Sequence, residues 1–210
     1  MDSQGASCTM FQRRNAPNQH HSWHTDSRIM KQVHIRHATA GDNALLAELG
    51  AQTFRDTFAA DNTPENMAAY LTASFSPDKQ AAELAAPASV FLIAEVEGVT
   101  VGYTRLKEGQ PSAGITGVHP LEIVRFYACK EWIGRGIGAA LMQVCLNEAE
   151  QRGCDTIWLD VWERNARARV FYRKWGFAEV GSQTFQLGDD LQHDLLMQRP
   201  VFPSHSKGRC

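Results

Sequence analysis

The segment Ile133-Gly-Arg-Gly-Ile-Gly-Ala-Ala-Leu141 constrains this chain more than any other. It lies between a strand-like run, Leu121–Cys129 (LEIVRFYAC), and a helical pattern from about Gly136 to Arg152. Glycines at 134, 136 and 138 remove Cβ atoms where a backbone must approach a ligand closely. Successive N–H groups at a helix N-terminus, aided by the helix dipole, make an anion site suited to pyrophosphate. Tight packing alone would use the same glycines.

Two nucleotide-binding patterns fail on inspection. A P-loop needs Gly-Lys-Ser/Thr after four intervening residues, and none is present. Gly134, Gly136 and Ala139 match G-x-G-x-x-G/A, but that fold needs repeated βαβ units. Here about 60 core residues follow the turn and end in a hairpin pattern.

The flanking pattern gives the order β, three helices, β-β-β, α, β, α, β-β. Val33–Arg36 alternates like a strand, and residues 42–58 carry apolar residues at three- and four-residue spacing. Thr63-Pro64-Glu65 and Ser76-Pro77-Asp78 each read as a helix cap followed by proline in the first turn. Ser89–Glu95 and Val99–Leu106 flank a hairpin turn at Val96-Glu97-Gly98, and a Gly/Pro/Ser loop spans 108–120. Cys154–Val161 reads as a strand, Asn165–Trp175 as a helix, and Ala178–Gln186 with Leu191–Gln198 as a closing hairpin. The fold class is α/β (α+β), a single mixed central sheet of about seven strands flanked by helices.

Composition sets the boundaries. Residues 1–29 hold almost no aliphatic side chains and cannot offset their ordering entropy, so they are expected to form a disordered tail. They lack the apolar stretch of a signal peptide, and Met30 fits an alternative start. Residues 203–210 read as a flexible C-terminal tail. Between them, residues 30–202 carry 16 basic and 21 acidic side chains, net −5, although the whole chain is only −2. This balance gives no basic footprint for nucleic acid or an anionic membrane. No uncharged apolar run approaches the length of a membrane span. Five cysteines in no C-x-x-C or zinc-type spacing fit a reducing cytoplasm and no metal site.

The second informative stretch is Leu159-x-Val161-x-x-x-Asn165-x-x-Ala168-x-x-Phe171-Tyr172-x-Lys174-x-Gly176-Phe177. Taken with the glycine turn, it resembles the GNAT superfamily of acetyl-CoA-dependent N-acetyltransferases across roughly residues 31–200. Thr53–Phe75, Leu121–Tyr127, Ile157–Asn165 and Phe185–Met197 are further similar to bacterial PaiA-type spermidine/spermine acetyltransferases. The resemblance implies direct transfer from acetyl-CoA to a primary amine, such as a polyamine or similar small cation, in a ternary complex. It implies no metal and allows a homodimer. A peptide or protein N-terminal amine is the alternative acceptor, and a non-catalytic acyl-CoA-binding regulator is the alternative of another class.

The resemblance also assigns roles. Glu122 becomes the base that deprotonates the amine, the Phe126 amide polarises the thioester carbonyl, and the Ala128 backbone pairs with pantetheine. Main-chain donors of Gly134, Arg135, Gly136, Ile137, Gly138 and Ala139 hold pyrophosphate. Asn165 caps its helix and contacts the coenzyme, and Tyr172 returns a proton to the leaving thiolate. Ile133 departs from the family's Gln or Arg at the start of the loop. Strand alternation is expected to put Glu122, Val124, Phe126 and Ala128 on one face. Phe171 and Trp175 are expected as core residues of the last helix. Asp56, Asp61 and Glu65 are candidates for attracting a cationic acceptor, while Asp160, Glu163, Asp189 and Asp190 carry no assigned role.

Overall fold

The computed structural model describes residues 33–202. The expected tails at 1–29 and 203–210 lie outside the described residues.

Seven strands, β1 (Val33–His37), β2 (Ser89–Val96), β3 (Val99–Glu108), β4 (Pro120–Ala128), β5 (Thr156–Trp162), β6 (Ala178–Leu187) and β7 (Asp190–Pro200), form one sheet. Their order is β1-β2-β3-β4-β5-β7-β6. Every neighbouring pair is antiparallel except β4 and β5. Helices α1 (Asn43–Phe58), α2 (Pro64–Phe75) and α3 (Pro77–Ala85) connect β1 to β2. Helix α4 (Ile137–Gln151) follows β4, and α5 (Ala166–Lys174) follows β5.

Local chemistry accounts for these boundaries. The Thr63 hydroxyl accepts from Asn66 N–H at 3.2 Å and the Ser76 hydroxyl from Lys79 N–H at 3.3 Å, so both expected caps form. The β2–β3 turn has Glu97 at φ 52° and Gly98 at φ 78°, the paired left-handed conformations of a tight hairpin.

The helices cover opposite faces. On one, Met142, Cys145 and Ala149 of α4 pack with Leu121, Ile123, Leu159 and Tyr172. On the other, Leu46 and Leu49 of α1 pack on Ile93 and Tyr103. Helix α3 is held there by Glu83, which bridges Arg105 of β3 at 2.8 Å and Arg125 of β4 at 2.5 Å. Burying an Arg–Glu–Arg set costs solvation, and the one carboxylate offsets it by bonding both guanidinium groups.

Two irregularities shape the middle of the sheet. The parallel pairing of β4 and β5 covers only Pro120–Glu122 with Thr156–Trp158, after which the strands part. Secondly, Arg105 faces Arg125 while Leu106 faces Ile123, so Val124 is an extra residue in β4. Such a bulge inverts the alternation beyond it. Leu121 and Ile123 therefore share the α4 face with Phe126 and Ala128. Glu122, between Leu121 and Ile123, lies on the opposite face with Arg125 and Tyr127. The expected single face for Glu122, Val124, Phe126 and Ala128 is corrected by this bulge.

Candidate active site

The gap where β4 and β5 part is bordered by main chain. The Cys129 amide donates to Val101 of β3 at 2.9 Å, and amides alternate sides along a strand. The amides and carbonyls of Phe126 and Ala128 consequently point away from β3, into the gap.

At the end of β4 the chain makes the glycine turn. Gly134 has φ 81° and Gly136 φ 90°, left-handed conformations in which a Cβ is strained. Gly136 is the N-terminal cap of α4, and its carbonyl accepts the first helical bond from Ala140 at 3.0 Å. The amides of Ile137, Gly138 and Ala139 precede that bond and have no helical acceptor. Gly138 serves packing instead: a Cβ there would stand 3.4 Å from the Phe171 ring. Arg135 stacks over Trp132, 5.4 Å from the ring centroid. Ile133 is 37% exposed at the start of the turn.

Helix α5 lies beside this turn. The Asn165 side chain accepts from Ala168 N–H at 3.1 Å, the cap half of its expected role. Tyr172 is the buried residue of α5, while Phe171, expected in the core, is only partly buried. The Tyr172 ring meets Phe126 edge-on, with centroids 6.0 Å apart. Burial first, then the Cys145 thiol and the Asp160 carboxylate, raises the phenol above its ordinary pKa. The phenol therefore keeps its proton at neutral pH.

The opposite face is acidic. Glu122 faces Trp158 across the last β4–β5 pair, and Asp160 lies two residues further along β5. Burial raises the pKa of both carboxylates, and Asp160 raises that of Glu122 further; Lys107 and Arg105 partly offset this at Glu122. Asp160 accepts from Gln183 Nε2 at 2.9 Å, and Gln183 Oε1 accepts from Ser112 at 2.9 Å. Beyond Asp160, Trp162 pairs with Asp194 of β7. Burial first, then Asp160 and Glu163, pushes Asp194 up to about 6.

Past Trp162 the face opens into a groove of about 540 Å³ between the α1–α2 turn and the β6–β7 hairpin. Asp61, Glu163, Asp189 and Asp190 line it. Of the three expected cation-attracting residues only Asp61 is there. Asp56 is tied to Gln52 at 2.9 Å on the exposed side of α1, and Glu65 is exposed on the first turn of α2. Asp160 and Asp194 were not among the residues assigned a role from sequence. For Asp160 the signal was a lone charge within an apolar strand, IWLDVW; for Asp194 there was none before β5, β6 and β7 were aligned.

The sequence model of the acetyltransferase (GNAT) family matches residues 52–177. An uncharacterized N-acetyltransferase of the pepI 3′ region of Lactobacillus delbrueckii subsp. lactis is 34% identical over 153 residues, covering 73% of this chain and 88% of its own. An uncharacterized N-acetyltransferase of Mycobacterium tuberculosis is 33% identical over 156 residues, 74% of this chain and 96% of its own. Among solved structures, the PaiA N-acetyltransferase of Thermoplasma acidophilum in complex with coenzyme A aligns with a TM-score of 0.63. It is 20% identical, covering 80% of this chain and 98% of that one, and so shares the fold. The glycine turn, the parted strands and α5 all lie within the matched span, and the chain belongs to the acetyltransferase (GNAT) family.

Proposed function

We propose that the protein transfers an acetyl group from acetyl-CoA to a primary amine of a small cation of the polyamine class. The observation that carries the reading is the division of labour across the sheet. Main-chain donors line the face of α4 and α5, carboxylates line the other face, and the two meet where β4 and β5 part.

On the first face, the amides of Gly134 and of Gly136 to Ala139 are suited to pyrophosphate, because α4 begins without a side-chain cap and its dipole favours an anion, whereas the Arg135 amide, also expected there, donates to the Trp132 carbonyl at 3.2 Å. The fit lies in the backbone, so Ile133 in place of Gln or Arg removes a side-chain donor and leaves the amides. The Ala128 backbone is free to pair with an extended pantetheine arm. The Phe126 amide is positioned to polarise the thioester carbonyl, a contribution of about 3 kcal/mol for a preorganised donor.

An aliphatic ammonium has a pKa near ~10 and must lose a proton before it attacks. Glu122 is the accepting carboxylate; burial first, then the Asp160 carboxylate, raises its hold on that proton. Tyr172, across the gap, donates to the leaving thiolate. The ammonium yields one proton to carboxylate; its nitrogen then bonds the acetyl carbon as the C–S bond breaks, the sulfur takes the Tyr172 proton, and the nitrogen's second proton goes to the phenolate left behind.

A thiol-release assay with acetyl-CoA over polyamines, amino acids and peptides tests the reading. Polyamine-dependent thiol release is the expected result. Peptide acetylation without polyamine acetylation would favour a second reading, a peptide N-terminal amine. A partial match supports that second reading: the Escherichia coli ribosomal protein bS18-alanine N-acetyltransferase is 32% identical over 69 residues, 32% of this chain. Coenzyme binding without turnover on any amine would indicate a regulator.

A further inference from the structure

The peptide group that joins Arg125 to Phe126 is engaged from the far side of β4. From Arg125 to Ala128 the β3–β4 register runs without a break, so the Cys129 bond to Val101 fixes the direction of each group in that stretch. The Arg125 carbonyl points to β3. Its peptide is trans, which turns the Phe126 N–H the opposite way, into the gap. That carbonyl and the amide aimed at the thioester are two ends of one plane.

The β3 end of this plane receives a bond that no strand ladder requires. Thr104 Oγ1 donates to the Arg125 carbonyl at 2.8 Å, immediately after the bulge at Val124. Thr104 faces Phe126 in the register and is 0% exposed, so no solvent can stand in for its hydroxyl. Cys145 of α4 in turn donates through sulfur to the same hydroxyl at 3.6 Å. Burial pushes the Cys145 thiol up to about 12, and it keeps the proton it donates. The bonds therefore run in one direction, from thiol to hydroxyl to peptide carbonyl, and out through the Phe126 N–H. Each bond in such a chain strengthens the next, by roughly 10–30% in condensed phase. A donor on an amide oxygen draws electron density from the nitrogen and leaves the N–H more positive. It also holds the plane steady beside a bulge, where the ladder is locally disrupted.

We propose that Thr104 is a positioning residue for acetyl transfer, acting through the Arg125 carbonyl to orient and polarise the Phe126 amide that receives the thioester oxygen. This inference rests on the acetyltransferase reading and deepens it. A buried side chain on β3, with β4 between it and the gap, then helps to set the rate of the chemical step.

Isotope-edited infrared spectra of acetyl-CoA labelled with heavy carbon at the thioester carbonyl, bound to the full chain, read this bond directly. The carbonyl band should move to lower frequency on binding to the wild type. Thr104→Val keeps the branched shape without the hydroxyl and should shrink that movement by about a fifth or more. Thr104→Ser keeps a hydroxyl and should retain it. Single-turnover acetylation by Thr104→Val should slow roughly threefold to tenfold, less than the ~10²–10³-fold lost when an oxyanion donor is removed outright. The affinity for acetyl-CoA should stay within about twofold, and Thr104→Ser should recover most of the rate. An equal band movement in the wild type and Thr104→Val, or none in the wild type, overturns the proposal. So does a loss of acetyl-CoA affinity as large as the loss of rate, the result for a side chain needed only to hold the bulge. The two readings fail separately: if no amine is acetylated, the acetyltransferase reading falls, while the band still decides the role of Thr104.

Discussion

The two faces of the sheet are built on different principles. The α4–α5 face uses main-chain groups fixed by glycine conformations at Gly134 and Gly136 and by the departure of β5 from β4. Side-chain identity matters there mostly by being small or apolar. The α1–α3 face uses side chains with raised pKa values, drawn from β4, β5 and β7 and set against helices from the first half of the chain. A face of amides tolerates sequence change and keeps its ligand; one of carboxylates can change acceptor through a single substitution. The bulge at Val124 lets β4 serve both, by turning Glu122 to one side and Phe126 to the other.

The largest expected effect crosses the divide. Tyr172→Phe removes one hydroxyl from the α5 side and should lower kcat by about 10²–10⁴-fold, the range for loss of a positioned acid. KM for acetyl-CoA should change little, since binding rests on amides. Pre-steady-state and steady-state thiol release together check this; unchanged turnover with chemistry rate-limiting would remove Tyr172 from the reaction.

Next in size is a test of what holds the acidic face in place. Glu83→Gln leaves Arg105 and Arg125 buried without their counter-charge and should cost about 3–5 kcal/mol. Urea unfolding measures it directly. Coenzyme affinity of the folded fraction should be nearly unaffected, because α3 lies on the other side of the sheet. Comparable losses in both properties would show that the faces are coupled.

How far each face was legible in sequence follows from the same contrast. Glycine spacing, the Asn165 cap and the Thr63 and Ser76 caps are local signals, and each lies where the pattern put it. The bulge is not local: nothing in LEIVRFYAC marks Val124, and it exists only through the register with β3. Strict alternation therefore misassigned Glu122. Asp61 joins Asp189 and Asp190 through a fold that brings residues over a hundred positions apart to one groove, whereas Asp56 and Glu65, near it in sequence, point elsewhere. The burial of Tyr172 in place of Phe171 likewise depends on how α5 meets α4 and β4.

The acidic face should also record its charges in the pH dependence of stability. Asp194, faced by Asp160, Glu163 and Tyr70 with His193 adjoining, has a pKa raised to about 6; Glu122 and Asp160 are raised as well. A raised carboxylate binds its proton more tightly in the folded state. Its stabilising contribution is complete below the ordinary carboxylate range and is lost as pH rises through the folded value. Asp42, held low by Arg36, acts oppositely, and its contribution falls away only in stronger acid. Unfolding free energy should thus be about 2 kcal/mol larger near pH 4.5 than at pH 7. Asp194→Asn should flatten much of that difference, and a profile unchanged by the substitution would contradict the assignment.

The smallest effect separates the faces most cleanly. Gly188, at the tip of the β6–β7 hairpin, has φ 65°, and a Cβ there would collide with the Asn66 carboxamide at the start of α2. Asn66 also donates to Asp189 at 2.5 Å, so the hairpin tip is fastened to α2 across the mouth of the groove. Gly188→Ala imposes left-handed strain of about 1–2 kcal/mol and displaces Asn66. The fold should survive with a Tm lower by a few degrees. Because Asp189 and Asp190 move with the tip, KM for a diamine should rise severalfold while KM for acetyl-CoA stays constant. A rise in both constants would mean that the groove and the glycine turn are not independent, and the division between an amide face and a carboxylate face would have to be abandoned.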